Sequence, residues 1–380
     1  MFPESARTGM DRRDFLRLGG AGLAGAVLLG TGVTAASRAA AQTGPPLEAL
    51  FDAAAAQYAV PEKLLKAMGY VNTLWEMPPA SATPYDPDEP HGRGAYGLMQ
   101  LVRNPSKDTL GRAASLIGLS EEEIKTDRAA NVKGGAAVLS DLAGFDRSSD
   151  LNGWYEIVSG YGSGPLYAHD VYDVLHGGAS ATISTGERIE LMPQPEAETR
   201  IVPASRTRAD YEQATWYGNN GENSSSWYRG AKMIDKIVIH VAQGSYSGTL
   251  DWFRNPSNTG SSTHYTVSKQ GAIGQSVKEE NVAWHAGWWD TNKQSISIEH
   301  AGYIGNPDWF TDKMYDASAR LSAYLSKKYG IPLDRQHVIA HKQVPGCNGS
   351  GGGVSCHVDP GDHWNWKKYM RWVKYHRRGL

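Results

Sequence analysis

Apolar residues follow two different spacings along the chain, and the change falls near residue 178. In the first part Leu47, Phe51 and Ala54 recur at intervals of four and three residues, which predicts an amphipathic helix. Pro61 then stands where the first turn of a second helix begins, a position that tolerates proline. We therefore predict a mainly α-helical domain over residues 42–177.

The second part of the chain contains short runs rich in β-branched residues. These runs are "KIVIHV", "HYTVSK", "SISIEH" and "HVIAHK". Between the last two lies an apolar helical pattern that ends at Gly330, a typical residue after a helix. Residues 210–380 are therefore predicted to form a mixed α/β domain. Residues 178–209 are rich in Gly, Ser, Thr, Pro and charge, and we interpret them as a linker with one possible strand at "RIELM".

Residues 1–41 resemble a twin-arginine export signal. Arg12 and Arg13 stand together in "DRRDFLR", and a Gly/Ala/Leu run follows that is too short for a membrane span. Ala39 and Ala41 form an A-x-A site, so we predict cleavage after Ala41. The alternative is an anchor that stays attached. Export by the twin-arginine route would place the mature protein outside the cell, in the cell wall or in the periplasm, without stable membrane insertion.

Length, charge and cysteine content narrow the class of protein. A chain of 380 residues is long enough for two domains. Its formal charge of -2 argues against a nucleic-acid partner held by phosphate contacts. The two cysteines, Cys347 and Cys356, flank a Gly/Ser-rich stretch, and in an oxidising compartment we expect a local disulfide. A pair of zinc thiolates is the alternative.

The second part is rich in histidine, which suggests a metal site. Nine of the 12 histidines lie after residue 230. His240 ends the run "KIVIH" and His341 ends "HVIAH", so each would emerge at the end of a buried strand. The stretch "SCHVDPGDHWNW" at residues 355–366 offers further candidate ligands. Taken alone, each histidine is equally compatible with a core residue satisfied by a hydrogen bond.

Residues 210–370 resemble the zinc-dependent N-acetylmuramoyl-L-alanine amidases of type 2, relatives of phage amidases and peptidoglycan recognition proteins. The resemblance rests on the ordered stretches "IVIHVAQGSYSGTLDWFRNP", "STHYTVSKQGAIGQSV", "AWHAG", "SISIEHAG", "VIAHKQVPG" and "HVDPGDHWNWKKYM". It implies a mixed central sheet flanked by helices, and Zn²⁺ held by His240, His341 and Asp359. Two imidazoles and one carboxylate leave a fourth position open, as in catalytic zinc sites.

The same resemblance implies the catalytic groups. Glu299, at the end of "SISIE", matches the family's catalytic glutamate, which moves a proton between water and the leaving amine. Its alternative is an ordinary glutamate at a strand end. His357 stands where many relatives carry a lysine, and Thr263 where some carry a tyrosine. Histidine can donate to the developing oxyanion as lysine does, but its charge depends on pH.

Residues 47–177 resemble, more loosely, the lysozyme-like fold of lytic transglycosylases. The resemblance rests on "AVPEKLLKAMGYV", "GAYGLMQL", "AANVKGGAAVL" and "GYGSGPLYAHDVYDVL". That family needs a glutamate to protonate the glycosidic oxygen. Here the matching position holds Asn72, and Glu76 lies one helical turn further on. We therefore expect a lysozyme-like domain that has lost catalysis, or a helical scaffold with no ligand.

Together these resemblances imply an exported peptidoglycan hydrolase, a zinc amidase that cuts the amide between N-acetylmuramic acid and L-alanine. Its partner would be peptidoglycan, both glycan strand and stem peptide. Two alternatives stay open at this point: a peptidoglycan-binding protein without hydrolytic activity, and a bifunctional enzyme that also cleaves glycan. Five tryptophans suit either a substrate groove or a packed core: Trp252, Trp284, Trp288, Trp289 and Trp309.

Overall fold

The computed structural model describes most of the chain beyond the predicted signal. The described residues are 44–85, 92–145, 148–162, 164–200, 207–227, 229–230, 233–346 and 355–380. Residues Gln42–Leu380 form one compact unit. The predicted signal of residues 1–41 lies outside the described residues, and so does Cys347, so the export signal and the disulfide stay predictions.

The first region is mainly helical, as predicted. Its helices are α1 (Leu47–Tyr58), α2 (Glu62–Thr73), α3 (Thr109–Ile117), α4 (Glu121–Thr126), α5 (Arg128–Ala143), α6 (Tyr155–Tyr161) and α7 (Pro165–Gly177). A small antiparallel sheet accompanies them, with strands β1 (Ala95–Tyr96), β2 (Leu101–Asn104) and β3 (Lys107–Asp108). Leu47, Phe51 and Ala54 are buried in the core of this region, which confirms the helical spacing.

Part of the predicted linker is folded structure. Strands β4 (Ala179–Thr182) and β5 (Arg188–Leu191) pair as an antiparallel hairpin. Along β5 burial alternates, and Ile189 and Leu191 enter the core of the helical region. The possible strand at "RIELM" is present as β5, whereas the prediction of a linker is wrong for the hairpin as a whole, because two alternating apolar residues attach it to the helices.

The second region is built on a six-stranded mixed sheet. Its strands are β6 (Ala214–Trp216), β8 (Lys236–Val241), β9 (Tyr265–Val267), β10 (Ile273–Gln275), β12 (Ser295–His300) and β13 (Val338–Ala340), in the order β13-β8-β12-β9-β10-β6. All neighbours are parallel except β9 and β10. Strands β7 (Ser224–Ser225) and β11 (Val282–Ala283) form a separate antiparallel pair.

Helices cover the sheet and bury its apolar strands. They are α8 (Tyr246–Arg254), α9 (Trp289–Gln294), α10 (Asp312–Tyr329) and α11 (Trp366–Arg378). Helix α10 ends at Gly330, which adopts the left-handed conformation that glycine favours. The mixed α/β architecture and the four predicted strand runs are confirmed, and the central strands read as continuous apolar segments because both faces of the sheet are covered.

The two regions are packed directly on each other. Leu74 and Leu166 from the helical region belong to the same hydrophobic cluster as Ile239 of β8. A hydrogen bond from Asn255 Nδ2 to Ser106 Oγ, 2.7 Å long, also joins them. No helix in the described part of the chain is long and apolar enough to span a bilayer.

Candidate active site

Three neighbouring parallel strands bring the predicted site residues together. In the β8–β12 pair, His240 lies directly opposite Glu299. His341 follows β13, whose Ala340 pairs with Ile239 of β8. Because the strands are parallel, their carboxyl ends meet at one edge of the sheet, where ligands commonly bind in open α/β sheets.

Asp359 reaches this edge from the loop before α11 and lies between the two histidines. Its Oδ1 is 2.9 Å from His341 Nδ1, and its Oδ2 is 3.3 Å from His240 Nδ1. Its backbone oxygen accepts a hydrogen bond from Lys342 N–H at 3.0 Å, which holds the loop against the residue after His341. Burial opposes ionisation of this carboxyl, but His341 and His240 hold the pKa of Asp359 well below its usual value.

His240, His341 and Asp359 are suited to a metal ion. Each offers one ligand atom, and these atoms all lie within 4.8 Å of one another. Atoms about 2.0–2.2 Å from one shared zinc ion lie at most about 4.4 Å apart, so a small inward movement of these side chains would let them share an ion. Two imidazole nitrogens and a carboxylate oxygen form a donor set that zinc binds readily.

Glu299 lies beside the three candidate ligands. Its Oε1 is 4.0 Å from His240 Nδ1, and its Oε2 is buried without a hydrogen-bond partner among the described residues. Burial, and then the Asp359 carboxylate, raise the pKa of Glu299 well above its usual value. A half-buried second carboxylate with one buried, orphaned oxygen fits a site built for a cation and for a group that gives and takes a proton.

Of the remaining residues in the stretch 355–366, some line the active-site cavity and others are exposed on the surface. The ring of His357 stacks on that of His341, with centroids 3.6 Å apart and planes 18° apart. The side chain of Asp362 is 98% exposed, 3.1 Å from Lys342 Nζ. His357 lines the active-site cavity together with its neighbours Cys356 and Val358, whereas Asp362 does not. Thr263, outside this stretch, is buried with its hydroxyl 2.9 Å from Ser297 Oγ and does not line the cavity.

His285, which was assigned no role in the sequence analysis, contacts the candidate ligand His240. It follows β11, within the "AWHAG" stretch, and its Nδ1 lies 3.1 Å from His240 Nε2. Its Nε2 lies 3.0 Å from Ser295 Oγ, which in turn donates to Thr291 O at 2.5 Å. Burial, and then the neighbouring His240, lower the pKa of His285 well below its usual value, so the ring is neutral.

This chain of contacts fixes the tautomer of His240. Since Ser295 donates its only proton to Thr291, its oxygen accepts from His285 Nε2–H. His285 Nδ1 is then an acceptor, and His240 Nε2 donates to it. His240 Nδ1, the nitrogen that faces Asp359, is left as the lone-pair atom that a metal requires. No spacing rule signals this contact, because His285 is far from His240 in sequence.

The site opens into a cavity of about 530 Å³. His240, His341, Asp359, Glu299 and His357 all line it. The cavity is large enough for a substrate to approach the candidate ligands, and its lining combines aromatic rings with a few converging polar groups, as in other ligand sites.

In the helical region, Asn72 stands at the position where the lytic transglycosylase resemblance places a catalytic glutamate. Asn72 is 2% exposed, and its Nδ2 donates to Leu98 O at 3.3 Å. It lines a cavity of only about 60 Å³, which Ser245 and Gly248 of the second region help to close. Glu76 is held elsewhere, since its carboxylate accepts two hydrogen bonds from Ser184, each 2.6 Å long. Neither side chain is therefore placed to act on a glycan.

Fold and site define an α/β protein in which two buried histidines and two half-buried carboxylates converge at the end of a mixed sheet. Residues 230–362 match the family model described as N-acetylmuramoyl-L-alanine amidase. The chain is 30% identical over 174 residues to N-acetylmuramoyl-L-alanine amidase A of Achromobacter lyticus, across 43% of this chain and 95% of that protein. The chain belongs to the N-acetylmuramoyl-L-alanine amidase family.

Two further proteins are similar to this chain at lower sequence identity. The 1,6-anhydro-N-acetylmuramyl-L-alanine amidase AmpD of Haemophilus influenzae is 27% identical over 119 residues, across 30% of this chain and 59% of that protein. Among solved structures, a selenomethionine derivative of AmpD matches with a TM-score of 0.34 and 18% identity, across 44% of this chain and 99% of that chain.

Proposed function

We propose that this N-acetylmuramoyl-L-alanine amidase is a zinc enzyme whose ion is held by His240, His341 and Asp359. The observation that carries the proposal is the convergence of three ligand atoms within 4.8 Å, next to a buried fourth group, Glu299. A zinc ion held there would supply Lewis-acid activation of the amide carbonyl and of the hydrolytic water. The hydrogen-bond chain through His285 supports the assignment, because it presents His240 Nδ1 to the site.

Glu299 is the proposed proton carrier. It lies near His240 in a buried pocket, and its pKa is raised by burial and by Asp359. In this role it accepts a proton from the water that attacks the amide carbon and passes one to the departing amine. The bond broken is the C–N bond of the amide, and the products are a carboxylic acid and a free amine.

The proposed substrate is peptidoglycan, and the bond is the amide between the lactyl group of N-acetylmuramic acid and L-alanine. Family membership favours an enzyme over the alternative of a non-hydrolytic binding protein. Incubation of the purified protein with cell walls, followed by mass spectrometry of the soluble products, tests this directly. New stem peptides with a free L-alanine amine are expected, and their absence under zinc-replete conditions contradicts the proposal.

His357 is the proposed oxyanion donor. It lines the active-site cavity and stacks on His341, so its ring is held close to the candidate ligands. We expect His357→Ala to keep its zinc while kcat falls by about 10²–10³, the usual effect of removing one such donor. Zinc content and kcat on a muramoyl-peptide are the measurements. A loss of zinc in this variant would instead make His357 part of the metal site.

The bifunctional alternative is tested in the full chain. Asn72 is buried and Glu76 is bound to Ser184, so the helical region lacks an acid at the expected place. We expect Glu299→Gln protein, which lacks amidase chemistry, to release neither anhydro-sugar nor new reducing ends from purified peptidoglycan. Detection of such ends by mass spectrometry would assign a glycan-cleaving activity to the helical region.

The site of action is proposed to lie outside the cytoplasm. The pair Arg12 and Arg13 and the Ala39–Ala41 motif support export by the twin-arginine route, and a peptidoglycan substrate is found in the extracellular wall or the periplasm.

A further inference from the structure

We propose that the helical region supplies one wall of the amidase cleft, and that this wall binds the glycan strand that carries the scissile amide. The proposal deepens the amidase function and rests on it. The active-site cavity of about 530 Å³ is lined on one side by residues 81–85 and 92–93 of the helical region. These residues lie outside the stretch 230–362 that matches the family model, so the wall is a feature of this chain.

The wall is attached firmly to the rest of the helical region. Thr83 Oγ1 donates to Ala95 O at 2.6 Å, and Thr83 O accepts from Gly94 N–H at 2.9 Å. Asn104 Nδ2 donates to Arg93 O at 2.8 Å. Both ends of the wall are thus tied to the small antiparallel sheet of the helical region, and a ligand in the cavity would meet a preformed surface.

Arg93 lies against the loop that follows β8 and against the first turn of α8. Its guanidinium lies on Gly244 and Gly248, where a Cβ atom would come within 2.6 Å of Cζ and 2.2 Å of Nη1, respectively. A Cβ atom at either position would displace the guanidinium, so glycine at both positions allows this close approach. Its Nη2 also donates to Gln100 Oε1 at 2.6 Å. The wall therefore has a defined position relative to His240, which lies four residues before Gly244.

The chemistry of the cleft fits a sugar polymer. Tyr85 packs edge-on against Trp252, with ring centroids 6.3 Å apart, and Trp284 lines the same cavity. The indole Nε1 atoms of Trp252 and Trp284 are buried without hydrogen-bond partners among the described residues. Pyranose rings offer C–H faces to aromatic side chains and oxygen acceptors to N–H donors, which matches this combination.

The described part of the wall carries one charge, and the surface continues beyond the site. Residues 81–85 read "SATPY" and residues 92–93 read "GR", so their only ionised side chain is Arg93, which donates to Gln100. The acidic stretch "DPDEPH" at residues 86–91 joins the two pieces and lies outside the described residues. A second cavity of about 610 Å³ shares Arg93 and Trp252 with the first and is also lined by Trp216. The adjoining cavity leaves room for a glycan strand to extend from the reacting muramic acid along the junction of the two regions.

The experiment compares two substrates that carry the same stem peptide. One is a single N-acetylmuramoyl-peptide, and the other is a glycan chain of several disaccharides. The full-length protein is tested with Tyr85→Ala, which removes the aromatic face, and with Ser81→Trp, which fills space at an exposed wall position. Tyr375→Ala is the matched control, since Tyr375 is 71% exposed on α11 and outside this cavity.

The ratio of kcat/KM on the glycan chain to kcat/KM on the single sugar is the readout. We expect this ratio to fall by about tenfold in Tyr85→Ala and in Ser81→Trp, mainly through KM, and to keep its wild-type value in Tyr375→Ala. Zinc content and melting temperature are measured in parallel. If Tyr85→Ala does not fold, the ratio measured for Ser81→Trp tests the proposal.

Two results overturn the proposal. One is an unchanged ratio in zinc-loaded, folded Ser81→Trp; the other is an equal loss on both substrates, which would place the contact at the scissile amide or the stem peptide. A wild-type protein inactive on both substrates would refute the amidase assignment itself, and this failure is distinguishable because it does not depend on the variants.

Discussion

Replacing Glu299 with Gln is expected to leave about one zinc ion bound per chain while kcat falls by roughly 10²–10⁴, the usual contribution of a general acid–base group. The two side chains have the same shape, but the amide of Gln cannot accept a proton at neutral pH. Glu299 Oε1 lies 4.0 Å from His240 Nδ1, close enough to share the site, whereas both Asp359 oxygens face the histidines. Zinc analysis of the purified variant and its kcat on a muramoyl-peptide are the measurements.

A control for this variant is Glu212→Gln, because Glu212 is exposed and does not line the active-site cavity. We expect its zinc content and kcat to match the wild type. A Glu299→Gln enzyme with full zinc occupancy and near-normal turnover would refute the proposed role of Glu299. Loss of zinc from that variant would instead make Glu299 a ligand.

The sequence predicts the centre of the fold well because local and global signals agree there. Strands β8 and β12 read as apolar runs, and each is buried on both faces of the sheet. Their parallel register, which sets His240 opposite Glu299, cannot be predicted from either apolar run alone. Of the hairpin β4–β5, only β5 was anticipated, as the possible strand at "RIELM", because Ile189 and Leu191 alternate with polar residues; β4, "ASAT", has no such alternation.

Prediction of the site depended on resemblance more than on spacing. His240 and His341 end apolar runs, so their place at a sheet edge follows from the pattern, but only the resemblance selected Asp359 over Asp362. His285 was not assigned a role, because its contact with His240 exists only after the chain has folded. The wall formed by residues 81–85 and 92–93 was also beyond prediction, since it depends on how two regions pack.

Asp359→Ala is expected to lose both zinc and activity, and so are His240→Ala and His341→Ala. With three protein ligands, removal of any one leaves only two, which are too few to hold the ion. In Asp359→Ala the two imidazoles also lose the carboxylate that lies 2.9 and 3.3 Å from their Nδ1 atoms. Zinc content should fall from about one ion per chain to background, and kcat should fall at least as far as in Glu299→Gln.

Asp362→Ala is the matched control for this loss. Asp362 lies three residues further along the same loop, but its side chain is 98% exposed. It forms an ion pair with Lys342 Nζ at 3.1 Å, and an ion pair exposed to water contributes little to stability. Since a metal that binds only the folded state raises the melting temperature, a chelator should lower that temperature in wild type and in Asp362→Ala but leave Asp359→Ala unchanged. If Asp362→Ala lost zinc as well, the loop rather than the carboxylate would explain the effect. If Asp359→Ala kept zinc and responded to the chelator as the wild type does, Asp359 would not be a ligand.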